Sequence, residues 1–131
     1  MTSPDPPNMP PAAAIVLVVE DETLLRMHSV DFIEAAGYRV LEAADTDTAI
    51  AVLEANPAIR VVLTDVDLPG SMDGLKLAAA IRRRWPPIEL IVTSGAVTPQ
   101  PGDLPERSIF VPKPVDPRRV LSAIDGFIGL D

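Results

Sequence analysis

Short apolar runs alternate along the chain with longer amphipathic segments. The runs are rich in branched residues and apolar on both faces, which is typical of buried parallel strands. They predict five strands, over residues 13–19, 38–42, 61–64, 90–93 and 109–111. Apolar residues at helical spacing predict four helices, over 22–36, after Asp45 or Thr46 with Ala49, Ile50, Val52 and Leu53, over 75–85 and from 117 to about 128.

Capping residues mark the ends of these predicted helices. Gly37 follows the first helix where a C-cap glycine belongs. Asp45 or Thr46 is the N-terminal signal of the second helix, and Asp116 followed by Pro117 is that of the last one. Because these signals fall where the apolar periodicity changes, they support the predicted bounds.

Three consecutive arginines, Arg82 to Arg84, end the third predicted helix before Pro86 and Pro87. The two prolines stop the helix, because proline lacks the backbone donor that a helix needs. Cations near the last turn complement the helix macrodipole. The simplest interpretation of the arginines is a solvated helix end, and a basic docking patch is the alternative.

Residues 94–109, between the fourth and fifth predicted strands, break the alternation. Pro99, Pro101 and Pro105 each remove a backbone donor, and Gly102 adds conformational freedom. We therefore predict a loop there, with at most one short turn, where the pattern would otherwise place a helix.

The alternation of strand and helix elsewhere predicts an α/β fold. Its expected architecture is a parallel sheet with helices on both faces. In such folds the functional crevice lies outside the carboxyl ends of the strands. Polar residues that directly follow a strand are therefore the first candidates for function.

Length and composition fit one globular domain. The chain has 131 residues, of which 47% are hydrophobic and 23% charged. Residues 1–12 include five prolines and are predicted to form a disordered leader, before a single domain over 13–131. No apolar run approaches bilayer length and the N-terminus lacks a signal-peptide pattern, so we expect a cytoplasmic protein that does not insert into a membrane.

Charge and residue types narrow the expected chemistry. The chain has no cysteine, which excludes disulfides and thiolate metal sites. Its net charge of -8 argues against nonspecific nucleic-acid binding, which needs clustered cations opposite phosphates. We therefore expect no direct contact with nucleic acid, and a protein that holds cations or meets a basic partner surface.

Acidic, hydroxyl and basic side chains follow four of the predicted strands. Glu20 and Asp21 follow the first, Asp65 the third, Ser94 the fourth and Lys113 the fifth. In a parallel sheet these groups converge on one rim, where the carboxylates repel one another unless a cation intervenes. Oxygen ligands without cysteine or a nearby histidine suit a hard ion, and Mg²⁺ fits best. Carboxylate, metal, ammonium and hydroxyl together are what phosphoryl transfer to a carboxylate requires.

Five short segments occur in order at these predicted strand ends: Glu20-Asp21, Thr64-Asp65, Leu68-Pro69 with Asp73-Gly74, Thr93-Ser94-Gly95, and Phe110-Val111-Pro112-Lys113-Pro114. Together they resemble the receiver domain of two-component response regulators, from about residue 13 to the C-terminus. The resemblance implies a flavodoxin-like, doubly wound sheet of five parallel strands in the order 2-1-3-4-5. It is closest to a variant, mostly from alphaproteobacteria, whose fourth helix is short or replaced by a loop.

The resemblance implies roles in phosphoryl transfer and metal binding. Asp65 would accept the phosphoryl group from a histidine kinase or a histidine phosphotransfer protein. Asp21 and Asp65 would supply carboxylates to Mg²⁺, the backbone carbonyl of Asp67 would be a further ligand, and Glu20 would lie nearby or act through water. Lys113 would pair with Asp65 and then with the phosphoryl group.

The resemblance also implies a switch. Ser94 would be the hydroxyl that moves toward the phosphoryl group, and Phe110 the aromatic that turns inward with it. The Lys113–Pro114 peptide would be cis. The protein would pass its signal to an unknown downstream protein through altered binding. It would be no enzyme beyond its own phosphorylation and dephosphorylation.

This sequence departs from the receiver pattern in three places. The stretch from Pro69 to Asp73 contains one extra residue, position 67 is acidic, and the proline-rich segment replaces the usual fourth helix. The missing helix belongs to the face through which receivers dimerise. We therefore expect a monomer or a weak dimer.

Each candidate residue also has an ordinary structural explanation. Asp65 could occupy a turn, Lys113 could be a surface charge and Phe110 could be a fixed core aromatic. Asp73 is interpreted as a helix cap. His28, on a predicted helix without a ligand partner, is interpreted as structural or exposed.

Two other functions stay open at this point. The run Asp65-Val66-Asp67 resembles the nucleophile motif of haloacid dehalogenase-type phosphatases, which also use Mg²⁺. In that family, however, the motif ends the first strand, and an acidic pair follows the lysine. The other alternative is a receiver-like binding module that is never phosphorylated.

Overall fold

The computed structural model of the protein describes residues 14–95, 98–100 and 102–128. Its elements are β1 (Ile15–Val19), α1 (Thr23–Ala35), β2 (Arg39–Ala43), α2 (Thr46–Ala55), β3 (Ile59–Asp65), α3 (Gly74–Arg84), β4 (Glu89–Ser94), β5 (Ser108–Pro112) and α4 (Pro117–Ile128). Every predicted strand and helix is present, with bounds close to those expected. The predicted disordered leader, residues 1–12, lies outside the described residues.

The five strands form one parallel sheet in the order β2-β1-β3-β4-β5. This is the order that the receiver resemblance implied. Val19 of β1 lies opposite Thr64 of β3, and Asp65 at the end of β3 lies opposite Thr93 of β4. Because of this register, the central strands end at nearly the same level. The residues that follow them therefore share one edge of the sheet.

Helices cover both faces of the sheet, as predicted. Residues of α2 and α3 pack on one face and residues of α1 and α4 on the other. Leu17 and Val19 of β1 contribute to the first cluster, and Val16 and Val18 to the second. All four side chains are at most 1% exposed. Since successive side chains of a strand point to opposite faces, burial on both sides explains the continuous apolar runs.

The predicted capping residues lie at the helix ends. Asp45 and Asp73 each accept the amide N–H of the residue three positions later, at 2.7 and 2.8 Å. Asp116 accepts the amide N–H of Arg118 at 2.9 Å. Gly37 has φ 104, in the left-handed region that glycine adopts without strain. Among the described residues, no helix is both long and apolar enough to cross a bilayer.

The connection from β4 to β5 contains no helix in the parts that the structure describes, residues 98–100 and 102–107. The predicted loop is confirmed for those residues. Leu104 packs against the cluster formed with α2 and α3, so the loop still covers part of that face.

Arg82 ties this loop to the end of α3. Its guanidinium donates to the backbone carbonyls of Pro86 and Ile88 at 2.7 Å, of Glu106 at 3.1 Å and of Arg107 at 3.4 Å. Burial lowers the pKa of Arg82, and the neighbouring Arg107 charge lowers it further. The interpretation of Arg82 as a solvated helix end is therefore wrong. Its planar fork of donors binds two backbone carbonyls before β4 and two before β5.

Candidate functional site

Three carboxylates meet at the carboxyl edge of the sheet. Glu20 and Asp21 directly follow β1, and Asp65 is the last residue of β3. One carboxylate oxygen from each lies within 4.8 Å of the others. Glu20 and Asp65 are only 6% and 5% exposed, whereas Asp21 is exposed. The acid cluster that the sequence predicted is therefore formed, with two buried members and one facing solvent.

The ammonium group of Lys113 lies between the two buried carboxylates. Its Nζ donates to Asp65 Oδ2 at 2.6 Å and to Glu20 Oε1 at 3.0 Å. The side chain is 18% exposed, so the alternative reading of Lys113 as a surface charge is wrong. The backbone supports this placement, because the Lys113 amide donates to the Ser94 carbonyl at 3.0 Å and the Lys113–Pro114 peptide is cis.

Backbone amides hold the opposite oxygens of the same two carboxylates. The amide of Asp67 donates to Asp65 Oδ1 at 3.2 Å, and the amide of Glu22 donates to Glu20 Oε2 at 3.1 Å. Each buried carboxylate is thus fixed on one side by Lys113 and on the other by an N–H group. Such contacts keep the carboxylates in place. The side chain of Asp67 itself belongs to an exposed residue.

Charge in the cluster is unbalanced. Burial raises the pKa of Glu20, the Asp65 charge raises it further, and the Glu22 amide and Lys113 act against the rise. Burial works to lower the pKa of Lys113, but the hydrogen bonds and charges of Asp65 and Glu20 outweigh it and raise that pKa. One ammonium faces three carboxylates, with Asp21 as the third. The carboxylates outnumber the ammonium, so a bound cation would reduce the excess negative charge of the site.

The donor set suits a hard divalent cation. All three convergent groups are carboxylates, and Mg²⁺ prefers oxygen ligands together with several retained waters. The exposed position of Asp21 leaves one side of the cluster open to solvent, from which an ion and its waters could enter. The residues present therefore fit Mg²⁺.

The raised pKa of Lys113 makes a prediction that NMR can test. Because the pKa of Lys113 is raised in the folded state, its ion pairs stabilise the fold fully below the ordinary lysine pKa of 10.5. This stabilisation is lost as the pH rises through the folded-state pKa of Lys113. The chain has only two lysines, Lys76 and Lys113, so a protein labelled with ¹³C-lysine gives two side-chain signals. We expect the Lys113 signal to titrate at lower pH in the Asp65→Asn variant than in the wild type.

The exposed Lys76 is the internal control in that titration, since its signal should not respond to Asp65→Asn. If the Lys113 signal titrates identically in the two proteins, the ion pair with Asp65 does not set the charge state of the lysine.

The two predicted switch residues lie on the strands that flank the loop. Ser94 ends β4 and is 3% exposed, with its carbonyl bound to the Lys113 amide. Phe110 lies on β5 opposite Val92 of β4 and is half-buried. Both residues thus lie on strands next to the end of β3 or β4, and their role as a switch stays a prediction.

Close backbone packing shapes the end of β3. The Val66 amide donates to the Thr93 carbonyl at 2.9 Å, and the Gly74 amide donates to the Val66 carbonyl at 2.8 Å. Gly74 is buried, and a Cβ there would lie 1.9 Å from the Asp65 carbonyl oxygen. The sequence identified Gly74 only as part of a motif, and the structure supplies the steric reason for the glycine.

Sequence reasoning missed two features beside the cluster. Arg26 of α1 donates to the Glu20 carbonyl at 2.9 Å and to Glu42 at 2.9 Å, which fixes the end of β1. A cavity of about 420 Å³ opens between α1 and residues 113–115, lined partly by Leu25 and His28. Leu25 is 40% exposed there. His28 is exposed, in line with its interpretation.

Comparisons with known proteins agree with this geometry. A family model described as response regulator receiver domain matches residues 16–125. The chain is 38% identical over 84 residues to the sensor kinase CckA of Brucella abortus, a match that spans 63% of this chain and 9% of that protein. It is 39% identical over 87 residues to the response regulator protein FleR of Pseudomonas aeruginosa, spanning 65% of this chain and 18% of that one.

Solved structures show the same architecture. The crystal structure of the receiver domain of the hybrid histidine kinase CckA superposes with a TM-score of 0.74 at 30% identity, covering 88% of this chain and 99% of that one. A response regulator receiver protein from Sinorhizobium medicae gives a TM-score of 0.83, covering 91% and 97% of the two chains. Its identity of 23% supports the fold alone.

Proposed function

The chain belongs to the response regulator receiver family, and we propose that it is a phosphoacceptor switch that takes a phosphoryl group onto Asp65. The donor would be a histidine kinase or a histidine phosphotransfer protein. One observation carries the proposal: the Lys113 ammonium lies 2.6 Å from Asp65 Oδ2, inside a cluster of three convergent carboxylates. This is the charge arrangement that phosphoryl transfer to a carboxylate needs.

In the proposed transfer, a carboxylate oxygen of Asp65 forms a bond to phosphorus while the bond from phosphorus to the donor nitrogen breaks. The imidazole of the donor leaves with the electron pair. The buried Asp65 is already oriented for this step by Lys113 and by the Asp67 amide. Lys113 then pairs with the phosphoryl oxygens, whose negative charge it stabilises.

Asp21, Asp65 and the backbone carbonyl of Asp67 would hold Mg²⁺, with Glu20 acting nearby or through water. When bound, Mg²⁺ supplies positive charge that neutralises the phosphoryl oxygens during transfer. The pairing of Glu20 with Lys113 keeps its carboxylate at the edge of this site.

Phosphorylation would replace the single negative charge of the Asp65 carboxylate with the roughly two negative charges of an acyl phosphate. We propose that Ser94 donates its hydroxyl to the phosphoryl group and that Phe110 repacks with it, which alters the surface near β4 and β5. The altered surface would bind a downstream protein in the cytoplasm, with the chain acting as a monomer or weak dimer. No catalysis is proposed beyond phosphorylation and dephosphorylation of the chain itself.

The proposal predicts that acetyl phosphate, a small phosphodonor, adds one phosphoryl group to the wild-type protein in the presence of Mg²⁺. Intact-mass spectrometry detects the adduct, and chelation of the metal should prevent its formation. Absence of any adduct with Mg²⁺ present would favour the binding module that is never phosphorylated. Steady turnover of a generic phosphomonoester would instead favour a phosphatase, which the position of Asp65 at the end of the third strand already opposes.

A further inference from the structure

The loop that follows Asp65 is attached at its apex to the start of α2. Ser71 donates its amide to Asp47 Oδ2 at 3.2 Å and its hydroxyl to Asp47 Oδ1 at 2.5 Å. The amide of Thr46 donates to the Pro69 carbonyl at 3.2 Å. Three hydrogen bonds thus connect residues 69–71 to the first turn of a helix that is distant in sequence.

Close packing accompanies these hydrogen bonds. Gly70 has φ 124, and a Cβ there would lie 2.3 Å from the Thr46 hydroxyl oxygen and 3.1 Å from the Thr46 amide nitrogen. Thr46 is completely buried. The loop apex therefore rests directly on α2, in a conformation that only glycine adopts without strain.

This attachment bears on the acid cluster because the same loop carries Asp67. The Asp67 amide donates to Asp65 Oδ1 at 3.2 Å, so the backbone at residue 67 is part of the site. The loop is also anchored at its base, where the Gly74 amide binds the Val66 carbonyl. Between these anchors, Leu68 and Met72 pack against the hydrophobic core, and the hydrogen bonds to α2 hold the apex at residues 69–71.

We propose that Asp47 is a positioning residue for the phosphoacceptor site. By holding Ser71, it fixes a loop that is one residue longer than the receiver pattern. The Asp67 backbone is then presented to Asp65 and to Mg²⁺. The inference rests on the proposed function of the site. Its physical basis is that a free loop would have to lose conformational entropy each time the ion binds, whereas an attached loop has already lost it.

Asp47 also lies in the first turn of α2, where an acidic side chain stabilises a helix through its dipole. A purely structural role would therefore lower stability without acting on the site. Asp45 separates the two roles, because it caps the same helix by accepting the Thr48 amide at 2.7 Å. Asp45→Ala is thus a matched control that weakens α2 while leaving the Asp47–Ser71 contacts in place.

The test measures Mg²⁺ affinity by calorimetry and amide hydrogen exchange of residues 67–73 in metal-free protein. For Asp47→Ala we expect Mg²⁺ binding weakened by about tenfold, the low end of the effect of residues that orient metal ligands. We also expect faster exchange in the loop. Asp45→Ala should lower the melting temperature and leave the Mg²⁺ affinity and the amide exchange of residues 67–73 unchanged. Ser71→Ala added to Asp47→Ala should weaken binding no further, because the two residues share one contact.

Three results would overturn the inference: unchanged Mg²⁺ affinity in Asp47→Ala, equal weakening in Asp45→Ala, or unchanged loop exchange in Asp47→Ala. A wild-type protein that binds no Mg²⁺ would contradict the proposed function instead. In that case the exchange measurement alone decides whether Asp47 positions the loop, since it is made without metal.

Discussion

Replacing Lys113 with methionine is expected to slow phosphorylation by acetyl phosphate about 100-fold or more. Methionine has a similar length and no charge, so it fills the same space without the ammonium. Asp65 and Glu20, both nearly buried, would then face each other without the cation that now lies 2.6 and 3.0 Å from their oxygens. The transferred group would also lose the cation that stabilises its charge.

The stability of Lys113→Met should depend on pH in a defined direction. Burial and the Asp65 charge raise the pKa of Glu20, and in this variant the Lys113 ammonium no longer acts against that rise. Stability lost at neutral pH should therefore be partly regained as pH falls, because the folded state then binds protons more readily than the unfolded one. Urea unfolding at several pH values measures this change.

Lys76→Met is the matched control, since Lys76 is the other lysine of the chain and is exposed on α3. It should be phosphorylated at the wild-type rate and should show the wild-type response of stability to pH. Wild-type phosphorylation of Lys113→Met would mean that the ammonium has no role in transfer.

Gly74→Ala is expected to destabilise the protein by about 3 kcal/mol. The added Cβ would lie 1.9 Å from the Asp65 carbonyl oxygen and 2.7 Å from Val66 Cα. Both are backbone atoms, which cannot rotate away as a flexible side chain can. Either the start of α3 or the end of β3 must move, and the second carries the proposed phosphoacceptor. Phosphorylation should therefore fall together with stability.

Thermal unfolding followed by circular dichroism measures the effect, with a decrease in melting temperature of about 10 °C expected. Gly126→Ala provides the contrast, because Gly126 lies in α4 with open space where the Cβ would be added. Alanine is favoured over glycine in helices by about 1 kcal/mol, so this variant should be slightly more stable than the wild type. If Gly74→Ala melts like the wild type, the close approach of α3 to β3 is not required.

The fold could be predicted from the sequence because its signals are local. The apolar run that forms β1 reflects burial on both faces, and Asp45 and Asp73 are helix caps that act on amides three residues away. The predicted strand ends then indicated which polar side chains lie close together at the edge of the sheet. Parallel strands bring their carboxyl ends together, which predicted that Asp65 and Lys113 share one rim, and the receiver resemblance implied that they pair.

The features that sequence reasoning missed depend on contacts between distant segments. In the sequence, Arg82 is one of three consecutive arginines with no feature that distinguishes it. In the structure, its guanidinium donates to the backbone carbonyls of Pro86, Ile88, Glu106 and Arg107. Asp47 and Ser71 are ordinary polar residues 24 positions apart, and their contact depends on how the loop folds onto α2. Leu25 has helical spacing with the buried Ser29 but lines a cavity and is 40% exposed. No local pattern encodes these placements.

The identity of the phosphorylated residue is the most direct test of the account. Wild type, Asp65→Asn and Asp67→Asn would be incubated with acetyl phosphate and Mg²⁺ and compared by intact-mass spectrometry. We expect the wild type and Asp67→Asn each to gain one phosphoryl group that hydroxylamine removes, as it does from acyl phosphates, and Asp65→Asn to gain none. An adduct on Asp65→Asn equal to that of the wild type would contradict the assignment of Asp65 as the phosphoacceptor.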